Sequence, residues 1–91
     1  MNSLTRAGIT VSGRVQGVGF RMWVKHQARS LDLSGFVRNC PDGSVYVEAE
    51  GGKEHVMQLI SLCSTGPERS QVVDISYSFM PPTGTPEFII R

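Results

Sequence analysis

Twice along this chain the spacing of apolar residues switches from every second position to every third or fourth. The first switch is marked by glycine. From Ala7 to Val15, Ile9, Val11, Gly13 and Val15 fall on one side, with Thr10, Ser12 and Arg14 on the other. That is the period of a strand with one buried face. The stretch Gln16-Gly17-Val18-Gly19 breaks it. From Phe20 onward Phe20, Trp23, Val24, Ala28 and Leu31 form a helical stripe, closed by Asp32-Leu33-Ser34-Gly35.

The second half repeats the scheme. Gly35 to Asn39 and Ser44 to Glu50 flank Cys40-Pro41-Asp42-Gly43, a turn in which Pro presets φ and Gly accepts a positive one. A β-hairpin follows, with Val45, Val47 and Ala49 facing in and Tyr46, Glu48 and Glu50 facing out. After Gly51-Gly52, the residues Val56, Leu59, Ile60 and Cys63 supply a second helical stripe that stops near Gly66-Pro67. Val73, Ile75, Tyr77 and Phe79 alternate as a fourth strand. Beyond Pro81-Pro82-Thr83-Gly84-Thr85-Pro86 lies a short apolar tail, Phe88 and Ile90, able to pair with a sheet edge. The order β-α-β-β-α-β predicts an α+β, ferredoxin-like sandwich: an antiparallel sheet carrying two helices on one face.

Ninety-one residues suit one domain, 1–91, with a single core. No apolar run approaches the ~20 residues of a membrane helix. Met1-Asn2-Ser3-Leu4-Thr5-Arg6 leads into Ala7-Gly8 rather than an apolar segment, so no secretory leader is expected. A cytoplasmic location is then the default. Nine basic residues against eight acidic give a net charge of +1, too even for the cationic field of a nucleic-acid binder. Cys40 and Cys63 form no C-x-x-C, make no metal framework, and are expected to stay reduced.

Of the basic residues only Lys25 and Lys53 are lysines, and the rest are arginines, the side chain that grips a phosphate bidentately. Gly13-Arg14-Val15-Gln16-Gly17-Val18-Gly19-Phe20-Arg21 carries the most chemistry. A glycine-rich loop between a strand and a helix start turns several backbone N–H groups toward one point, and the helix dipole adds positive potential there. Arg21 in the first helical turn opposes that dipole, a conflict a bound anion resolves. Loop composition alone equally admits a glycine-rich turn beside a solvated arginine. The loop is neither a Walker loop, which ends in G-K-[ST], nor a dinucleotide fingerprint, since Met22 occupies the place of its third glycine.

These residues closely resemble the acylphosphatase family. Its signature G-x-V-Q-G-V-x-F-R is complete at Gly13 to Arg21, and G-x-V-x-N-x-x-D-G-x-V is complete at Gly35 to Val45. The likeness extends over nearly the whole chain. It departs after Pro67, where Glu68 and Ser70 replace small or apolar residues, far from both motifs. The resemblance implies hydrolysis of acyl phosphates, with Arg21 binding the phosphoryl group and Asn39 positioning the attacking water. The backbone of Gln16, Gly17, Val18, Gly19 and Phe20 would cradle the phosphate oxygens. Read without it, Asn39 beside a hairpin turn is more often a turn-capping residue.

An acyl phosphate has a good carboxylate leaving group, and phosphoryl transfer rests on positioning and charge stabilisation. No cofactor or metal ligand set is implied. Asp42 is the single acid within the two motifs. His26 and His55 read as surface residues, and Arg14 and Arg38 as solvated or as a positive rim. Inorganic phosphate is expected as product and inhibitor, and a monomer is expected. Two rivals remain: a hydrolase directed at carbamoyl phosphate, and a non-enzymatic ferredoxin-like module binding RNA or another anion. The RNA reading needs aromatics on the open sheet face, where the inferred central strands offer Thr10, Ser12, Tyr46, Glu48 and Glu50.

Overall fold

Strand β1 starts three residues before the alternation does, at Leu4, and runs to Arg14. It is followed by α1 (Phe20–Ser30), β2 (Ser34–Asn39), β3 (Val45–Gly52), α2 (Lys53–Thr65), β4 (Gln71–Met80) and β5 (Phe88–Ile90). This computed structural model describes residues 4–91; Met1, Asn2 and Ser3, part of the stretch read above for a leader, lie outside the described residues.

The five strands stand in the order β4-β1-β3-β2-β5. Strands β1 to β4 pair antiparallel, as their connections require. The tail does pair with an edge, but it lies parallel to β2, with Gly35 opposite Phe88 and Val37 opposite Ile90. The sheet is therefore mixed rather than wholly antiparallel. The reason is topological. Residues 81–87 deliver the chain to β2's free edge from the end where β4 stops, so β5 runs opposite to β4 and hence along β2.

Helix α1 covers β2 and β5, while α2 covers β1, β3 and β4. Ala7, Ile9, Val11, Val37, Val45, Val47 and Ala49 meet Phe20, Val24, Ala28, Val56, Leu59 and Cys63 in a closed core. Each large apolar side chain there contributes about 1.5–3 kcal/mol by leaving water. Gly35 (φ 131) lies against the β3 backbone; a Cβ there would collide with the Glu48 carbonyl oxygen.

Strand β4 departs from simple alternation. A bulge lets Ser12 pair with Asp74 and Gly13 with Val72, leaving Val73 between them 76% exposed. Val72 and Ile75 reach the core, whereas Tyr77 and Phe79 stay about half exposed at the sheet edge. The extra residue re-aims the strand's start, which the sequence pattern does not reveal.

The outward face of the sheet is not all solvent. Glu50, 3% exposed, accepts hydrogen bonds from Arg6 (3.0 Å) and from the backbone N–H groups of Thr83 (2.7 Å) and Gly84 (2.9 Å). Arg6 also pairs with Glu48 at 2.8 Å, and the Tyr46 hydroxyl donates to Glu48 at 2.7 Å. Burial first, then Glu48 beside it, pushes the Tyr46 phenol up to about 12. The 81–87 connection thus roofs an ionic cluster at the start of β1, and the Gly-rich loop lies past its other end.

Candidate active site

The loop between β1 and α1 is shaped by two left-handed glycines, Gly17 (φ 73) and Gly19 (φ 79), with Val18 between them not left-handed. Alternating hands point successive N–H groups to the same side, the geometry of an anion nest. A Cβ on either glycine would meet no atom within 4 Å, so glycine is needed for its backbone rather than for space. Gly19 is also the N-cap of α1. It supplies no side-chain cap, no acid occupies the first turn, and the first helical bond runs from Trp23 N–H to Gly19. The N–H groups at the helix start are thus left for another partner. Among the described residues, no backbone N–H from Gln16 to Gly19 donates to a backbone carbonyl.

Arg21 projects from that first turn. Among the described residues no Asp or Glu pairs with it; its one hydrogen bond is a long one, 3.5 Å, to the main-chain oxygen of Arg91. Across from it stands Asn39, the last residue of β2. Val15, Gly17 and Gly19 from the loop, Phe20, Arg21 and Met22 from α1, Asn39, and Ile90 from β5 enclose one cleft of about 200 Å³. Arg21 and Asn39, distant in sequence, are brought together because β1 and β2 end on the same side of the sheet.

Asn39 has a telling feature. Among the described residues its Oδ1 is the one buried side-chain polar atom without a hydrogen-bond partner. An unpaired buried acceptor costs about 1–3 kcal/mol. The turn-capping alternative gives that oxygen a bond within the turn, and the turn is capped by another residue. Asp42 Oδ1 accepts from Ser44 N–H (3.0 Å) and from the Ser44 hydroxyl (2.6 Å). The Ser44 hydroxyl and then its amide hold the Asp42 carboxyl below the usual range. The turn closes through Gly43 N–H to Cys40 carbonyl at 3.0 Å and Cys40 N–H to Ser44 carbonyl at 2.8 Å.

Gln16 sits on the loop as expected, but its side chain reaches the hairpin: Nε2 donates to the carbonyls of Cys40 (2.8 Å) and Ser44 (2.9 Å). His26 and His55 are exposed on their helices, and neither lines the cleft. Arg14 and Arg38 are exposed; Arg38 lies 5.2 Å over the Tyr46 ring. Cys63 is buried, and desolvation raises its thiol to about 12, leaving no thiolate at neutral pH. Among the described residues no three His, Cys, Asp or Glu side chains gather as a metal site, and no helix is long and apolar enough to cross a membrane.

A loop with unpaired N–H groups, an arginine with no Asp or Glu partner and an amide oxygen without a hydrogen bond, all on a ferredoxin-like scaffold, form an arrangement suited to a phosphate-bearing ligand. Comparison with known proteins names the family. The acylphosphatase family model matches residues 7–90. An acylphosphatase of Bifidobacterium longum is 46% identical over 79 residues, covering 87% of this chain and 81% of its own length. The crystal structure of the Bacillus subtilis acylphosphatase superposes with a TM-score of 0.92 at 37% identity, covering 98% of this chain and 99% of that one. The chain also matches 12% of full-length HypF, solved in a phosphate- and nucleotide-bound form, at 26% identity and a TM-score of 0.89. The chain belongs to the acylphosphatase family, and its activity is the hydrolysis of acyl phosphates.

Proposed function

We propose that Arg21 and the N–H groups from Gln16 to Phe20 bind the phosphoryl group of the substrate, and that Asn39 orients the water that attacks it. The observation that carries this reading is the meeting of Arg21, the loop and Asn39 in one cleft, with the buried Oδ1 of Asn39 left without a hydrogen-bond partner. That oxygen accepts a proton-bearing edge of water, turning the water's lone pair toward phosphorus. The new bond joins water oxygen to phosphorus as the bond from phosphorus to the acyl oxygen breaks. The carboxylate leaves with the bonding electrons. Charge on the transferring group is met by one guanidinium and the loop's N–H groups, fixed before the substrate arrives.

No residue lining the cleft except Arg21 is titratable, and an arginine does not act as a base. The water's proton therefore passes to a phosphate oxygen of the substrate, so that carboxylate and protonated inorganic phosphate are released. Because the cleft recognises the phosphoryl end, inorganic phosphate competes with substrate. The same reading takes residues 1–91 as one cytoplasmic, monomeric functional unit.

The test is an assay of benzoyl phosphate hydrolysis with excess EDTA, with an alkyl phosphate monoester as control. Turnover of the anhydride, unchanged by chelator, with the monoester untouched, is the expected result. Loss of turnover in EDTA, or equal hydrolysis of the monoester, overturns the reading, since the site supplies no strong acid for a poor leaving group.

A further inference from the structure

We propose that the side chain of Gln16 is a positioning residue, a clamp that sets the distance between the phosphate loop and Asn39 without touching substrate. The inference rests on the roles proposed above for the loop and Asn39. Its basis is the use of both amide protons. A glutamine Nε2 carries two, and here one goes to the Cys40 carbonyl and the other to the Ser44 carbonyl, at 2.8 and 2.9 Å. None is left for a phosphate oxygen. Both acceptors belong to the turn that begins next to Asn39.

The turn does not need Gln16 in order to form. It has its own backbone bonds and the Asp42–Ser44 cap. The loop, in contrast, holds two left-handed glycines and has no backbone bond of its own between Gln16 and Gly19 among the described residues. What the Gln16 amide supplies is the link between them, spanning 24 and 28 residues of sequence. Attack on phosphorus depends on the angle and distance between a water held by Asn39 and a phosphoryl group held by the loop. An error near 1 Å in that relation costs about a hundredfold in rate. Phosphate itself touches only the loop side, so its binding is indifferent to the link.

The test is Gln16→Met, which keeps the length and removes both donors, measured alone and combined with Asn39→Ala. Benzoyl phosphate turnover and inhibition by inorganic phosphate are read at a temperature where all variants are folded. The expected result for Gln16→Met is a kcat lowered by about tenfold to a hundredfold with a phosphate inhibition constant within about threefold of wild type. In the Asn39→Ala background the same change lowers kcat by no more than about twofold, because the residue it positions is gone. Should Gln16→Met fail to fold, Gln16→Asn, with the same amide one methylene short, is read by the same criteria. Unchanged kcat overturns the proposal, as does phosphate binding that weakens in step with kcat, which makes Gln16 a direct ligand. Losses that multiply in the double variant overturn it too. If Asn39→Ala itself retains full turnover, the proposed role of Asn39 falls first; if it loses turnover while Gln16→Met does not, only the clamp falls.

Discussion

Replacing Glu50 by Gln probes the roofed cluster at the start of β1. The wild-type carboxylate serves four donors: Arg6, Thr83 N–H and, at 3.5 Å, the Thr83 hydroxyl on Oε1, and Gly84 N–H on Oε2. A glutamine keeps one oxygen. Its best placement leaves that oxygen with Arg6 and Thr83 and turns its NH₂ toward the Gly84 N–H, donor against donor. The unpaired amide costs about 1–3 kcal/mol, and exchanging charged for neutral hydrogen bonds costs about 1 kcal/mol more. Arg6 keeps Glu48, so the total stays below the ~3–5 kcal/mol of an orphaned buried charge. A loss of about 3 kcal/mol at pH 7 corresponds to a Tm lower by roughly 12–24 °C for a domain of this size.

The pH dependence gives a second handle. Burial works to raise the Glu50 carboxyl, but the Thr83 and Gly84 amides and the Arg6 guanidinium outweigh it, and its pKa lies below the ordinary 4.5. A carboxyl depressed in the folded state contributes stability that is complete above its unfolded value and lost as pH falls through its folded one. Urea unfolding of wild type and Glu50→Gln from pH 7 to pH 3 should show a constant gap above about 5.5, closing below 4.5 as the wild-type group takes up a proton. A gap under about 1 kcal/mol at pH 7, or one unchanged at pH 3, would refute the assignment of a charged, buried Glu50.

Arg21→Lys should fold normally and almost abolish turnover, because an ammonium does not reproduce the guanidinium fork; retention of wild-type phosphate inhibition by the Lys variant would contradict it. Inorganic phosphate at ten times its Kd should raise stability by about 1.4 kcal/mol, and a Tm indifferent to phosphate would contradict the anion nest. Gly35→Ala should destabilise by roughly 3 kcal/mol or more, since its φ of 131 and the Glu48 carbonyl leave no room for a Cβ; a near-native urea midpoint would contradict that crowding.

The helix starts, the hairpin and the βαββαβ order follow from short-range patterns, because glycine placement and apolar period act within a few residues. Arg21 is legible for the same reason: a cation at a helix N-terminus is a local conflict. What the pattern hides is decided by contacts between distant segments. Glu50 alternates outward and reads as solvated, yet the 81–87 connection, more than thirty residues on, covers it. Val73 reads as a core residue until the register with β1 shows it to be the bulge. Gln16 lies in a motif that points to phosphate, while its amide protons go to carbonyls 24 and 28 residues away. Asn39 is legible in the sequence only through family resemblance. Its local sequence fits a turn cap, and its free oxygen shows only once Asp42 is seen capping Ser44 instead.

The most direct test of the account is Asn39→Ala with two readings, kcat on benzoyl phosphate and the inhibition constant of inorganic phosphate. An interaction made chiefly in the transition state lowers kcat and leaves ground-state binding alone. The account predicts a kcat lower by about a hundredfold or more with phosphate affinity nearly unchanged, and no loss of stability beyond about 1 kcal/mol. A folded variant that is less stable yet turns over like wild type would return Asn39 to the hairpin as a structural residue and contradict the account.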